Sequence, residues 1–449
     1  MSHVVRVAVS IQVPGREPEA TFALDALLGA VGVVRDDGLR REESVLVHYG
    51  SQPPDRDRPS LWIQASSFFG QAYGTNASLP GASIERLDGL PVLFSAGDET
   101  PRVLRSELRI ETSVDLVAAT FFLLSGYEET VDGFRDEHGR FPAARSAASR
   151  AGLTLEPLVD RYAAWLASLL GELAGCALAV PAWDREGFAL ALSHDVDGLR
   201  PPQRPEGRAS SVVAPILELE ARHDVHSTFF FITGGEDPVR ERYEITDKRA
   251  RRALREVRRA GSEIALHGSY FCMREPGCME AEKAALCAAV KEPRGYRQHY
   301  LRLPADGLAR LDRAGFRYDS SLSWPDAPGF KNGTARPFHP YDFGQRRALA
   351  LLEIPLVVMD RTLEKYLALD AQAAWGVLLE ILVAIETVGG CSALLWHPEF
   401  FDSLRHPGYD ALYEKTLVWL RDSGGRALTG KQVARAWKRR DRTDPHVHG

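Results

Sequence analysis

From Phe188 onward the chain repeats one rhythm: a short apolar run, a polar turn, an amphipathic helical stretch, and another apolar run. That is how βα units around a parallel sheet are written in sequence. Six runs stand out, FALALSHDVD, HSTFFFITG, SEIALHGSY, PRGYRQHYLR, RALALLEIPLVV and CSALLWHPEF, and each carries polar residues toward its C-terminal end. Helical spacing predicts helices over Val212–Arg222, Lys248–Ala260, Met279–Ala289, Ala371–Thr387 and Tyr409–Asp422. In α/β barrels the loops that follow the strands hold the active site, so the ends of these runs are where chemistry is to be sought.

A chain of 449 residues exceeds the size at which one hydrophobic core keeps growing, which predicts two domains. Before residue 186 short apolar runs (SVLVHYG, LPVLFSA) mix with two helical stretches, DLVAATFFLLSGYEE and LEPLVDRYAAWLASLLGELA. The second sets Leu158, Tyr162, Trp165, Leu166 and Leu169 on one side, as a core-facing helix does. The expected organisation is a smaller α/β domain over 1–185, an α/β barrel domain over 186–440 and a flexible tail over 441–449.

Composition narrows the class. With 45% hydrophobic and 26% charged residues the chain should fold, and a net charge of −6 without a long basic run argues against nucleic acid or an anionic membrane surface as the main partner. No stretch approaches the roughly twenty apolar residues of a membrane helix, and the first residues lack a secretory pattern, so a cytoplasmic protein is expected. Five cysteines without CxxC spacing read as reduced thiols. Cys272, Cys278 and Cys287 cluster in sequence, and their irregular spacing points to packing, with a soft-metal site as the alternative.

The chemistry concentrates at the strand ends. ALALSHDVDG presents His194, Asp195 and Asp197, and two carboxylates at i and i+2 of an extended segment point to the same side, so one can bind a metal while the other accepts a proton. GSEIALHGSY ends in His267, an imidazole of the kind zinc prefers. GYRQHYLR sets Arg297 and His299 on one face, and CSALLWHPEF delivers His397. Singly, each is an ordinary cap or turn former. Four strands ending in such groups at one rim point instead to a shared site.

The order SHDVD, HSTFFF, GSEIALHGSY, GYRQHYLR, YDSSLSW, LLWHPEF resembles the polysaccharide deacetylases of carbohydrate esterase family 4, the NodB-homology domain, over about residues 186 to 440. DLVAATFFLLSGYEE, DEHGRFPAARS and LEPLVDRYAAWL resemble a bacterial branch in which an N-terminal domain of unassigned function precedes the catalytic one. The resemblance implies a distorted (β/α) barrel and hydrolysis of an acetyl group with one divalent ion, usually Zn2+. By motif, Asp195 resembles the general base, Asp197 and His267 metal ligands, Arg297 the residue that orients the base, and Tyr300 the donor of an oxyanion-binding backbone N–H. His397 resembles the general acid, and Trp324 and Leu395 resemble residues lining the acetyl pocket.

Two departures matter. Val196 separates aspartates that the family keeps adjacent, so the roles of Asp195 and Asp197 are open to exchange. Phe271 stands where the family has a second histidine ligand, and His299 or His194 is available to replace it, His299 being favoured because it shares a face with Arg297. The expected substrate is an acetylated sugar or a small amide. The alternatives are a C–N hydrolase acting on a non-sugar amide and a non-catalytic glycan- or metabolite-binding barrel.

Overall fold

The computed structural model describes residues 5–35, 44–55, 58–81, 83–97, 100–184, 187–205, 207–235, 243–291 and 293–443. In the C-terminal half nine strands form a single sheet in which every pairing is parallel. Its order runs Leu352–Glu353, Tyr318–Asp319, Gly295–Gln298, Glu263–Gly268, Thr228–Phe231, Ala189–Val196, Cys391–Leu395, Leu356–Met359, with Arg426–Leu428 alongside the start of Ala189–Val196. Only Ile354 and Pro355 lie between the first and the last strand of that order. The sheet therefore curls until one extended segment carries both of its edges, the geometry of a distorted (β/α) barrel.

Parity along the strands separates an inner from an outer face. Ala189, Ala191, Phe230, Ala265, Leu356, Ala393 and Leu395 pack together inside the curl. Leu190, Leu192, Phe229, Phe231, Leu266, Tyr296 and Leu394 pack outward in the cluster that includes the helices. Burial on both faces is what a parallel sheet covered by helices demands, and it explains the near-continuous apolar runs. Four of these seven inner residues are alanine, which leaves room for Phe230, Leu356 and Leu395 inside the curl.

The helices form at Ala214–Arg222, Lys248–Arg259, Cys278–Ala289, Ala371–Thr387 and Tyr409–Asp422, within two residues of the periodicity at each end. RALALLEIPLVV is the exception. Instead of one strand it makes a short hairpin arm at Arg347–Ala348 and the two barrel strands Leu352–Glu353 and Leu356–Met359, because the chain must change sheet edge at Ile354–Pro355. A helix also runs over Gly430–Thr443, so the expected tail is helical to Thr443, and 444–449 lie outside the described residues.

In the N-terminal half a six-stranded sheet has the order Val34–Arg35, Arg6–Gln12, Val45–Gly50, Ser60–Gln64, Arg109–Thr112, Val103–Arg105, parallel except for the last pair. Helices Glu17–Val31, Leu116–Leu124 and Leu158–Ala174 cover it. The stretch DLVAATFFLLSGYEE breaks at Gly126, whose φ of 65° suits glycine, and resumes at Tyr127–Val131. The expected boundary at 185/186 lies outside the described residues, but the halves interlock elsewhere. Phe338 and Tyr341 complete the N-terminal core. Arg336 Nε donates to Asp160 Oδ1 at 2.8 Å, with both side chains buried. Among the described residues, no helix is long and apolar enough to cross a membrane.

Candidate active site

The inner-face parity that runs Ala189, Ala191, Ser193 continues to Asp195 and Asp197, so the strand Ala189–Val196 and the residue after it aim both carboxylates into the barrel mouth. The same parity brings His267 after Ala265, Arg297 beside it on the next strand, and His397 after Leu395. His299 lies one residue past the strand Gly295–Gln298 and still shares the inward side with Arg297.

Three of these side chains converge. His267 Nε2 lies 3.2 Å from Asp197 Oδ1, His299 Nδ1 lies 3.5 Å from the same oxygen, and the two ring nitrogens are 3.1 Å apart. All three residues are buried and form a group able to hold a metal ion. Donors bound to zinc at 2.0–2.2 Å in a tetrahedron sit roughly 3.3–3.6 Å from one another, so this spacing and this nitrogen–nitrogen–oxygen donor set fit such an ion. The ring of His267 is oriented for the task, because its Nδ1 faces the Arg297 carbonyl at 2.9 Å. A carbonyl can only accept, so Nδ1 carries a hydrogen and Nε2 is the ring atom that faces Asp197. Burial works against a charged His267 ring, but the carboxylates of Asp195 and Asp197 outweigh it and hold the pKa above its ordinary value.

Asp195 is held separately. Arg297, with 0% exposure, donates from Nη1 to Asp195 Oδ1 and to Ser193 Oγ, each at 2.9 Å. Its Nε reaches the Ser320 carbonyl at 2.8 Å, Nη2 reaches Ser320 Oγ at 2.9 Å, and the guanidinium stacks over Phe230 at 4.4 Å. Four hydrogen bonds and a ring face leave the guanidinium one orientation, so Asp195 presents its other oxygen, Oδ2, which lies 3.5 Å from His267 Nε2. Asp195, Asp197 and His397 all line a cavity of about 320 Å³ whose rim includes Arg200, Glu399, Asp402 and Arg405.

His397 is fixed by a residue the motifs did not reveal. Asp360, fully buried at the end of Leu356–Met359, takes the backbone N–H of His397 on one oxygen and faces Nδ1 with the other. Asp360 obeys the same strand-end rule as the other site residues, but the apolar run RALALLEIPLVV stops two residues short of it. Deeper down, Asp319 and Glu353 are buried together beside Arg297. Burial and the neighbouring carboxylate of Asp319 push Glu353 well above the usual carboxylate range, so the pair retains a proton.

The remaining expected residues separate. His194 has the opposite parity to Asp195 and points outward, with Nδ1 against the Trp396 carbonyl at 2.6 Å and Nε2 against Glu220 at 3.0 Å, so it is not in the metal-holding group. Phe271 packs on Tyr270 with ring centroids 4.8 Å apart. Leu395 is buried in the inner cluster directly below His397. Trp324 is buried and lines a small cavity with Phe122, Phe141 and Lys331. A turn residue that follows a two-residue strand is not governed by strand parity, and the packing of the N-terminal half draws this indole toward it.

Tyr300 occupies the left-handed region with φ 57°, and so does Leu301. Its ring packs against His299, Tyr270 and His138, the last from the N-terminal half at 4.7 Å between centroids.

Comparison with known proteins finds one family model and several solved structures. The model of a family of unknown function, DUF7033, matches residues 10–174. No curated protein matches. Among solved structures, the PuuE allantoinase aligns at 14% identity, covering 60% of this chain and 94% of that one, with a TM-score of 0.43. A probable polysaccharide deacetylase from Pseudomonas aeruginosa PAO1 aligns at 15% identity, covering 57% and 92%, with a TM-score of 0.42. The chitin deacetylase of the fungal pathogen Colletotrichum lindemuthianum aligns at 14% identity, covering 57% and 92%, with a TM-score of 0.32.

Proposed function

We propose that this chain is a metal-dependent hydrolase that removes an acetyl group from nitrogen on an acetylated sugar or glycan-like substrate. One observation carries the reading: three buried donors from Asp197, His267 and His299 stand at zinc-ligand spacing, with an arginine-held Asp195 beside them and an aspartate-held His397 facing the same cavity. An N–N–O donor set suits zinc better than magnesium or calcium, which take oxygen ligands. Asp197, His267 and His299 would hold a divalent ion, which would supply Lewis acidity and lower the pKa of water to near neutral.

The chain's own groups account for the rest. Asp195, held in place by Arg297, accepts the proton of the attacking water on Oδ2. The backbone N–H of Tyr300 donates to the developing oxyanion. His397, whose Nδ1–H is taken by Asp360, turns Nε2 into the cavity and delivers a proton to the departing amine, so that amide hydrolysis ends as acetate and free amine. Arg200 and Arg405 on the rim, set among Glu399 and Asp402, offer polar contacts to a hydroxylated substrate.

The test is acetate release from N-acetylated oligosaccharides by chelator-stripped protein with zinc or cobalt restored. Activity returning with metal, and vanishing together with bound metal in His267→Ala and His299→Ala, supports the reading. Undiminished turnover by metal-free protein refutes it. Release of ammonia or a ring-opened acid from a cyclic amide, with no acetate from any sugar, reassigns the substrate to another C–N bond.

A further inference from the structure

We propose that Cys272, Cys278 and Glu282 form a second metal site, for a thiophilic divalent ion, which pins the loop after His267 to the helix that follows it. The site shares no donor with Asp197, His267 and His299, and it does not depend on the hydrolase reading.

Cys278 opens the helix Cys278–Ala289 and Glu282 follows one turn later on the same side. The loop from Ser269 folds back so that Cys272 meets both, and one donor atom from each residue lies within 4.8 Å of the other two. Cys272 and Glu282 are buried and Cys278 is partly so, whereas Cys287, one of the three clustered in sequence, is exposed and stands outside the group. Packing explains a buried cysteine; it does not explain Glu282. A carboxylate is costly to bury unless it is paired, and the partners of Glu282 among the described residues are neutral: the Ser269 N–H at 3.1 Å, the Cys278 thiol at 3.5 Å and the Cys272 thiol. A cation among the two sulfurs and the carboxylate would supply the positive charge that these partners lack.

Two sulfur ligands select zinc, cadmium or cobalt over magnesium and calcium. The Ser269 N–H aims the carboxylate as supporting groups around metal ligands do. Cys272 also lines an adjoining cavity of about 350 Å³. The consequence reaches the barrel mouth, because Ser269 lies two residues beyond His267 and the Tyr296 hydroxyl sits 3.9 Å from Cys272 Sγ while donating to Gln298, the neighbour of His299.

The experiment is cobalt(II) titration of the reduced, metal-stripped full chain, followed by its near-ultraviolet absorption. We expect a sulfur-to-cobalt charge-transfer band that persists in Asp197→Ala and disappears in Cys278→Ser and in Cys272→Ser, each cysteine variant losing one equivalent of bound metal. Without any variant, zinc should slow the reaction of two of the five thiols with a disulfide reagent about tenfold or more, since a bound thiolate is poorly nucleophilic. Absence of the band, its survival in both cysteine variants, no zinc protection of thiols, or a Cys272–Cys278 disulfide in the protein as isolated each overturns the proposal. Loss of metal-dependent turnover with the band intact instead counts against the hydrolase reading.

Discussion

His138 Nδ1 lies 2.9 Å from the hydroxyl of Tyr270, joining the N-terminal half to the loop that follows His267. Arg302 strengthens the junction: its Nε donates to the His138 carbonyl and its Nη1 to the Tyr270 carbonyl, each at 2.5 Å, and its guanidinium lies 3.7 Å above the Tyr270 ring. Arg140 reaches the Tyr366 hydroxyl at 3.2 Å. The N-terminal half thus helps build the rim around Tyr300.

That arrangement has a kinetic consequence. Tyr300 and Leu301 are consecutive non-glycine residues at φ 57°. Each costs about 1–3 kcal/mol and persists only where its surroundings impose it. His138→Ala and Arg302→Met should let this turn relax and lower kcat by roughly tenfold, part of the loss seen when one oxyanion donor is removed outright. Bound metal should be unchanged. An unaltered kcat in both variants contradicts a role for the N-terminal half at the rim.

Asp360 fixes both the direction and the tautomer of His397. Asp360→Asn keeps the shape but removes the charge, and kcat should fall roughly a hundredfold or more, as in other aspartate-oriented histidines. Metal content should be untouched, which separates this variant from His267→Ala. Equal losses of metal and rate would show that Asp360 acts on folding instead.

Arg297 is a stability residue as well as an orienting one. Arg297→Met leaves Asp195 buried without its partner and strands the acceptors at Ser193 and Ser320. Removing one member of a buried pair costs about 3–5 kcal/mol, to be read from the urea midpoint at constant slope. A shift equivalent to a surface substitution would mean that water replaces the guanidinium.

The Asp319–Glu353 pair predicts how stability depends on pH. Glu353 titrates higher in the folded chain than in the unfolded one. Between those two pKa values the folded state holds a proton that the unfolded state has released, so this group's stabilisation is fully present below the ordinary glutamate range and is lost as pH rises above it. Glu353→Gln keeps an acceptor for the Leu322 N–H and carries no charge to lose. Its melting temperature should decline less than that of the parent between acidic and alkaline pH. Parallel curves would rule the pair out as the source of the slope.

What the sequence determined by itself follows from periodicity. Strand parity put Asp195 with Asp197 and Arg297 with His299, and helical spacing located five helices, because local backbone geometry dictates which side chains share a face. The tertiary structure alone decided the rest. It set His299, and not His194, beside Asp197 and His267, since the register between strands sets which inward side chains meet. It brought Asp360 to His397 by closing the sheet through Ile354–Pro355, drew Trp324 toward the N-terminal half, and laid His138 against Tyr270. Each of these contacts joins segments far apart in the chain, and no local pattern carries information about which distant segment will supply the partner.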